Sequence, residues 1–284
     1  MVSGTHPTPV RARSLSSNEA RAILALEADR REVVTLADLQ KLVGTTPGYA
    51  RKLAHELVGK GWLERTRRGV YLLNPAQHGP DALPDRDPLR LGSRLADPYY
   101  FAYATAAELH GLLPQAGSVY YVATPQRSGL RPFGPSQFRL VHQARSRFFG
   151  TEPLRRRGRE LVVSDLERTI LDCVDRPDLS GGMGGVAHIV ALAKPALGWP
   201  RLGRYVDRVP KRSLRQRLGY LLEVVRPTTP APEAWLRRMR PDARAPYVPL
   251  GTPALYGRRG PHDPTWRIVR NVSDSDLFAE GRIP

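Results

Sequence analysis

Between Glu19 and Asn74 the apolar residues recur three times at helical spacing and then alternate, an order that few folds satisfy. Ala22, Ile23 and Leu26 predict a first helix over Glu19–Arg30, with Asn18 as its N-cap. Leu36, Leu39, Leu42 and Val43 predict a second over Leu36–Val43, capped by Thr35. Gly44-Thr45-Thr46 is the turn. Pro47 suits a first helical position, and Ala50, Leu53, Ala54, Leu57 and Val58 give the third helix its inward stripe, to about Val58. Gly59-Lys60-Gly61 stops it. Trp62 and Leu63 then open a strand, Arg65-Thr66-Arg67-Arg68-Gly69 turns, and Val70-Tyr71-Leu72-Leu73 returns.

Helix, helix, turn, helix, basic hairpin is the order of a winged helix-turn-helix. The major groove of duplex DNA admits one helix, so a helix pinned by its inner face offers its outer face to base edges. Here that outer face carries Gly48, Tyr49, Arg51, Lys52, His55 and Glu56, and the hairpin tip adds Arg65, Arg67 and Arg68. The candidate DNA-binding set is therefore Thr45, Thr46, Tyr49, Arg51, Lys52, His55, Arg65, Arg67 and Arg68. Within it, Thr46, Tyr49, Lys52 and His55 are the candidates for base edges, and the wing arginines for phosphate. Trihelical domains with a hairpin also serve as protein-interaction modules. Two basic residues on the third helix and three on the wing favour duplex DNA, because phosphate neutralisation drives affinity.

The whole chain agrees with a polyanionic partner. Its 284 residues hold 44 basic against 27 acidic side chains, a formal charge of +17. A coding bias explains arginine over lysine, but not this excess of bases over acids. Cys173 is the only cysteine, which excludes an intramolecular disulfide and a cysteine-based zinc site; on an apolar helix face it reads as a small buried hydrophobe. Residues 1–17 are polar, with no apolar signal-peptide core, and read as a flexible basic arm that brings Arg11 and Arg13 to DNA. No run is long enough to cross a membrane, so no membrane partner is expected and the location expected is cytoplasmic.

The expected fold class is α+β: the winged helix-turn-helix over 18–74, a proline-rich linker over 75–88, and a mixed α/β domain over 89–225. Tyr99–Leu113 reads as one buried helix ended by Pro114. Strands are expected at Val119–Ala123, Phe138–His142, Arg147–Phe149 and Leu161–Val163, with a basic loop at Arg127 and Arg131. A helix capped by Ser164 follows over Asp165–Cys173. Gly181–Gly185 reads as a turn before a helix over Val186–Lys194, and two more helices are expected at Trp199–Val209 and Ser213–Val225. Residues 226–284 form a proline-rich extension packed on the second domain, with Trp235–Met239 helical and Trp266–Val272 a late strand.

Several segments of this second domain carry a family resemblance. Tyr121-Val122-Ala123-Thr124-Pro125, Phe148-Phe149-Gly150 and Val163-Ser164-Asp165-Leu166-Glu167-Arg168-Thr169-Ile170-Leu171-Asp172, behind a winged domain, resemble the AbiEi-type antitoxins of type IV toxin–antitoxin systems. The resemblance spans roughly residues 19 to 225. It implies a transcriptional autorepressor whose N-terminal domain binds double-stranded DNA at operator repeats. It implies also a C-terminal domain for cooperative repression and antitoxin activity, with a nucleotidyltransferase-like toxin, encoded next door, as partner.

The rival class is an enzyme. Asp165, Glu167 and Asp172 are the obvious carboxylates, but at about 100° per residue 165 and 172 lie near one face while 167 points elsewhere. Asp165 reads as a partner for the positive end of the helix dipole, and Asp172 as an exposed partner for Arg168. The histidines show no metal spacing, no Gly-x-Ser-x-Gly occurs, and no Lys-Ser or Lys-Thr follows the glycine run. The sequence calls for no catalytic residue, no metal and no cofactor. The alternative reading is a ligand-sensing transcriptional regulator, with Tyr99–Tyr103, Tyr120 and Tyr121 lining an effector pocket; a nuclease is the more distant one.

Overall fold

In the computed structural model, the structure describes residues 14–29, 31–67, 69–76, 87–114, 118–133, 136–156, 159–225 and 230–278. Arg11 and Arg13 of the expected arm, Arg68 of the wing and most of the 75–88 linker lie outside them. The chain divides into two compact units, one of Met1–Pro88 with Pro132–Pro135 and one built from Leu89–Arg131 and Ser136–Pro284.

The first unit runs α1 (Ser17–Ala28), β1 (Val33–Thr35), α2 (Leu36–Val43), α3 (Pro47–Gly59), β2 (Leu63–Arg67) and β3 (Val70–Leu73). Ile23 and Leu26 of α1, Leu39 of α2, and Leu53, Ala54 and Leu57 of α3 close one core with Trp62, Leu63 and Tyr71. Two details differ from expectation. The cap of α1 is Ser16, because Glu19 accepts the Ser16 backbone N–H at 2.6 Å and so fixes the first turn two residues earlier than Asn18 would. The wing has a third strand: β1 pairs antiparallel with β3, Val34 opposite Tyr71, in the order β1-β3-β2. Three residues are too few for a periodic signal, and Thr35 already read as a helix cap. The hairpin turn is also tighter than expected, since β2 continues to Arg67 through a bulge after Arg65.

The second unit opens with α4 (Pro88–Gly92), β4 (Tyr100–Phe101), α5 (Tyr103–Leu109), β5 (Val119–Thr124), β6 (Gly129–Phe133), β7 (Ser136–His142), β8 (Thr151–Arg156) and β9 (Arg159–Ser164). It continues with α6 (Leu166–Asp175), α7 (Gly182–Ala193), α8 (Trp199–Arg208), α9 (Arg212–Val224), α10 (Glu233–Met239), β10 (Val248–Pro249), α11 (Pro253–Tyr256), β11 (His262–Asp263), β12 (Ile268–Val269) and α12 (Asp274–Leu277). A mixed sheet of order β6-β7-β5-β4-β9-β8 forms one layer. Parallel pairing of β5 with β7 sets Val122 beside Leu140, and β9 lies parallel to β4 and antiparallel to β8. The helices supply the main core. Ile170, Cys173 and Val174 of α6 meet Val186 and Val190 of α7, Leu218 and Leu221 of α9, and Leu236 of α10.

Here too some expectations fail for identifiable reasons. Tyr99–Leu113 is not one helix. Tyr100 and Phe101 pair with Ala123 and Val122 as strand β4, and α5 starts only at Tyr103, whose φ is +54°. Apolar burial on all sides cannot distinguish a central strand from a buried helix. Arg131 of the expected basic loop lies on strand β6, with Arg127 in the connection before it; Thr151–Arg156 is strand β8, and Arg145–Arg147 is a short 3-10 turn rather than a strand. The cap of α6 is Asp165, whose carboxylate accepts the Arg168 N–H at 2.8 Å; Ser164 is the last residue of β9. The glycine run is the first turn of α7, not a turn before it. Trp266 lies fully buried in the main core, and strand structure near it is confined to Ile268 and Val269. No helix of the described residues is long and apolar enough to cross a membrane.

Candidate nucleic-acid interface

The α2–α3 corner is built by local chemistry. Gly44 ends α2 in the left-handed region (φ 68°), which a glycine adopts without Cβ strain, and its N–H returns to the Gln40 carbonyl. Thr45 is half-buried in the turn, and Thr46 caps α3 by accepting the Tyr49 N–H at 3.3 Å. Ala50, Leu53, Ala54 and Leu57 are buried, so 100° spacing turns Tyr49, Arg51, Lys52 and His55 outward, and all four are exposed. The wing is tied to the same corner: Leu36 donates its N–H to the Gly69 carbonyl at 3.2 Å.

That tie brings the wing beside the outer face of α3. A cleft of about 480 Å³ separates them, walled by Leu36, Arg51, His55, Val58, Arg65, Gly69 and Tyr71. Arg51 and His55 come from the helix and Arg65 from the wing, so residues far apart in sequence share one opening. Arg51 and Arg65 have no ion-pair partner among the described residues, and Lys52 is 70% exposed with only a loose 3.9 Å approach to Glu56. Arg67 is placed by its backbone pairing with Val70. The Tyr49 phenol oxygen accepts a 3.1 Å hydrogen bond from Asn18, which holds the ring on the outer surface. Nothing in the sequence marked Asn18 for this task, since the contact joins α1 to α3 across the fold.

One ion pair ties α1 to the end of α3. Glu19 is 1% exposed and accepts from Lys60 Nζ at 2.7 and 2.8 Å. Burial opposes its ionisation, but the hydrogen bonds from Lys60 and the Ser16 N–H outweigh burial and hold it below the usual carboxylate range.

The carboxylates weighed for catalysis have other work. Asp165 caps α6 and accepts from Tyr205 at 2.7 Å. Glu167 accepts the Gly198 N–H at 2.6 Å, joining α6 to the start of α8, with Arg201 at 3.3 Å. Asp172 is not exposed as expected: it and Arg168 are each 1% exposed, paired at 2.9 Å. The i,i+4 partnership was legible, but the burial arises because α6 is covered on every side. Arg168 also donates to the carbonyls of Arg147 (2.6 Å) and Phe149 (3.2 Å) and to the Tyr100 hydroxyl (2.8 Å). Gly150 (φ 67°) closes the same knot, since a Cβ there would stand 2.9 Å from both Arg168 Cβ and the Tyr205 ring. The segments Phe148–Gly150 and Ser164–Asp172 are thus one structural hub. Tyr100, Tyr103 and Tyr120, weighed as an effector pocket, are core residues. Among the described residues no group of three His, Cys, Asp or Glu could hold a metal ion.

Comparison with known proteins follows the same division. Residues 21–74 match the family described as transcriptional regulator, AbiEi antitoxin, and residues 100–224 match the AbiEi antitoxin C-terminal domain. A search of curated proteins gives no match. The crystal structure of the RV2827C protein from Mycobacterium tuberculosis superposes with a TM-score of 0.64 at 22% identity, over 96% of this chain and 98% of that one. At that identity the likeness is one of fold. With one family match over the winged unit and another over the sheet, the hub and the helices that follow, the chain belongs to the AbiEi family of antitoxins and transcriptional regulators.

Proposed function

We propose that the first unit binds duplex DNA through α3 and the wing, and that the chain is an operator-bound autorepressor and the non-catalytic antitoxin of a type IV system. The observation that carries the DNA reading is the shared cleft of Arg51, His55 and Arg65, with Lys52 exposed on the same helix. Free cations on two elements flanking one groove are what phosphate anchoring requires, and Thr46, Tyr49, Lys52 and His55 stand where base edges would be read. The operator repeats and the neighbouring nucleotidyltransferase-like toxin are the proposed partners. The structural commitments of Asp165, Glu167 and Asp172 support the non-catalytic part. A cytoplasmic location belongs to the same proposal.

The test is fluorescence anisotropy with duplex DNA from upstream of the chain's own gene, across a salt series. Arg51→Ala and Arg65→Ala should each weaken binding to operator and random DNA alike, and reduce the log–log salt slope by about 0.9 per lost phosphate contact. Tyr49→Ala should cost about 1–3 kcal/mol on the operator and little on random DNA. Unchanged affinity and slope in both arginine variants would overturn the reading. For the antitoxin, co-expression should rescue growth from the neighbouring toxin while intact-mass measurement finds the toxin covalently unchanged. A mass shift dependent on this chain would make it an enzyme.

A further inference from the structure

Helix α9 begins against the usual rules. Its N-cap is Lys211, no side chain caps it, no acidic residue stands in its first turn, and Arg212 is its first residue. Cations at the positive end of a helix dipole repel it, and the arrangement is favourable when an anion sits there. The N–H groups of Leu214 and Arg215 both return to the Lys211 carbonyl, while those of Arg212 and Ser213 have no backbone acceptor among the described residues.

A second observation lies at the same place. A cleft of about 520 Å³ opens at this helix end, lined by the cations Lys211, Arg212, Arg215, Arg240 and Arg244 with one carboxylate, Asp242. Lys211 pairs with Asp175, Arg215 with Asp207 at 3.0 Å, and Arg240 approaches Glu223 and Glu233 at 3.8 and 3.6 Å. Arg212 and Arg244 are exposed and have no ion-pair partner among the described residues. Asp242 is turned to its own loop, accepting the Arg244 N–H at 2.7 Å. The wall is held by Gln216, fully buried, whose amide donates to the carbonyls of Pro246, Trp266 and Arg267 at 3.0–3.2 Å.

We propose that this cleft is a phosphate-binding site of the second unit, taking a phosphate group at the start of α9 with Arg212 and Arg244 as its free cations. It is separate from the α3–wing groove and does not depend on the DNA reading. The phosphate belongs either to a free phosphorylated small molecule or to a nucleic-acid strand.

Titration calorimetry on the full chain tests it, in an Arg51→Ala/Arg65→Ala background that removes the winged contribution. The probes are inorganic pyrophosphate, adenosine monophosphate, adenosine as the phosphate-free control, and a single-stranded ten-nucleotide DNA. The expected result is binding by the phosphate probes but not adenosine, weakened about ten-fold or more by Arg212→Gln/Arg244→Gln and largely kept by Arg212→Lys/Arg244→Lys. Both residues are exposed, so thermal melting should be unchanged. If only the oligonucleotide responds to the double variant, the source is a strand; if the small probes respond, it is a free ligand. Equal binding of every probe to parent and double variant, or no binding at all, overturns the proposal.

Discussion

Arg168→Met is the most informative single change, because it asks whether the Ser164–Asp172 motif is structural. The substitution keeps an unbranched stem, shorter than arginine, and removes the donors. Asp172, 1% exposed, is left with only the Tyr100 hydroxyl at 3.3 Å. Breaking a buried pair by removing one partner costs about 3–5 kcal/mol. The carbonyls of Arg147 and Phe149 lose their donor as well, at about 1 kcal/mol each, so the expected loss is roughly 5 kcal/mol or more. Asp172→Asn is the contrast. Its amide oxygen still accepts from Arg168 Nε and the guanidinium keeps three other acceptors, but the buried cation loses its counter-charge, so the expected loss is about 3 kcal/mol, the low end for a broken buried pair. Urea unfolding followed by far-ultraviolet circular dichroism measures both. In thermal melting the arginine variant should fall by roughly 10–20 °C at about 2–4 °C per kcal/mol. A loss under about 1 kcal/mol for Arg168→Met, as for an exposed pair, would refute the hub. So would a larger loss for Asp172→Asn than for Arg168→Met.

Three further outcomes are expected. Glu19→Gln should weaken the first unit at neutral pH and flatten its acid limb: the folded pKa is depressed, so the stabilisation is present above the unfolded value of 4.5 and lost as pH falls through the folded one, which a pH series of urea midpoints reads. Gly219→Ala should destabilise the second unit by about 3 kcal/mol, since its Cβ would stand 1.9 Å from the buried Trp266 ring and α9 or the indole must shift; an unchanged urea midpoint would show that the core has slack. Cys173 should react with a thiol reagent only on unfolding, because burial excludes the reagent and pushes the thiol up to about 12; fast labelling of the native chain would place it at the surface.

The winged unit was legible in the chain because its signals are local. Pro47, Thr46, Gly44 and a 3.6-residue stripe act within a few neighbours, so the outward face of α3 follows from sequence alone. The same holds for the helices over 166–175 and 199–224 and for the partnership of Arg168 with Asp172, each a matter of spacing along one helix. What eluded sequence depended on distant segments. Strand β1 exists because β3 lies beside it, and Tyr100–Phe101 is a strand because β5 and β9 flank it on both sides. The burial of Asp172 needs the cover of α6 by its neighbours, Asn18 reaches Tyr49 only across α1 and α3, and Trp266 finds its place against Gly219 from almost fifty residues away. Periodicity reports which face of an element is apolar. Which neighbour covers that face, and which polar groups are enclosed with it, is set when the chain folds back on itself and long-range pairs compete for the same space.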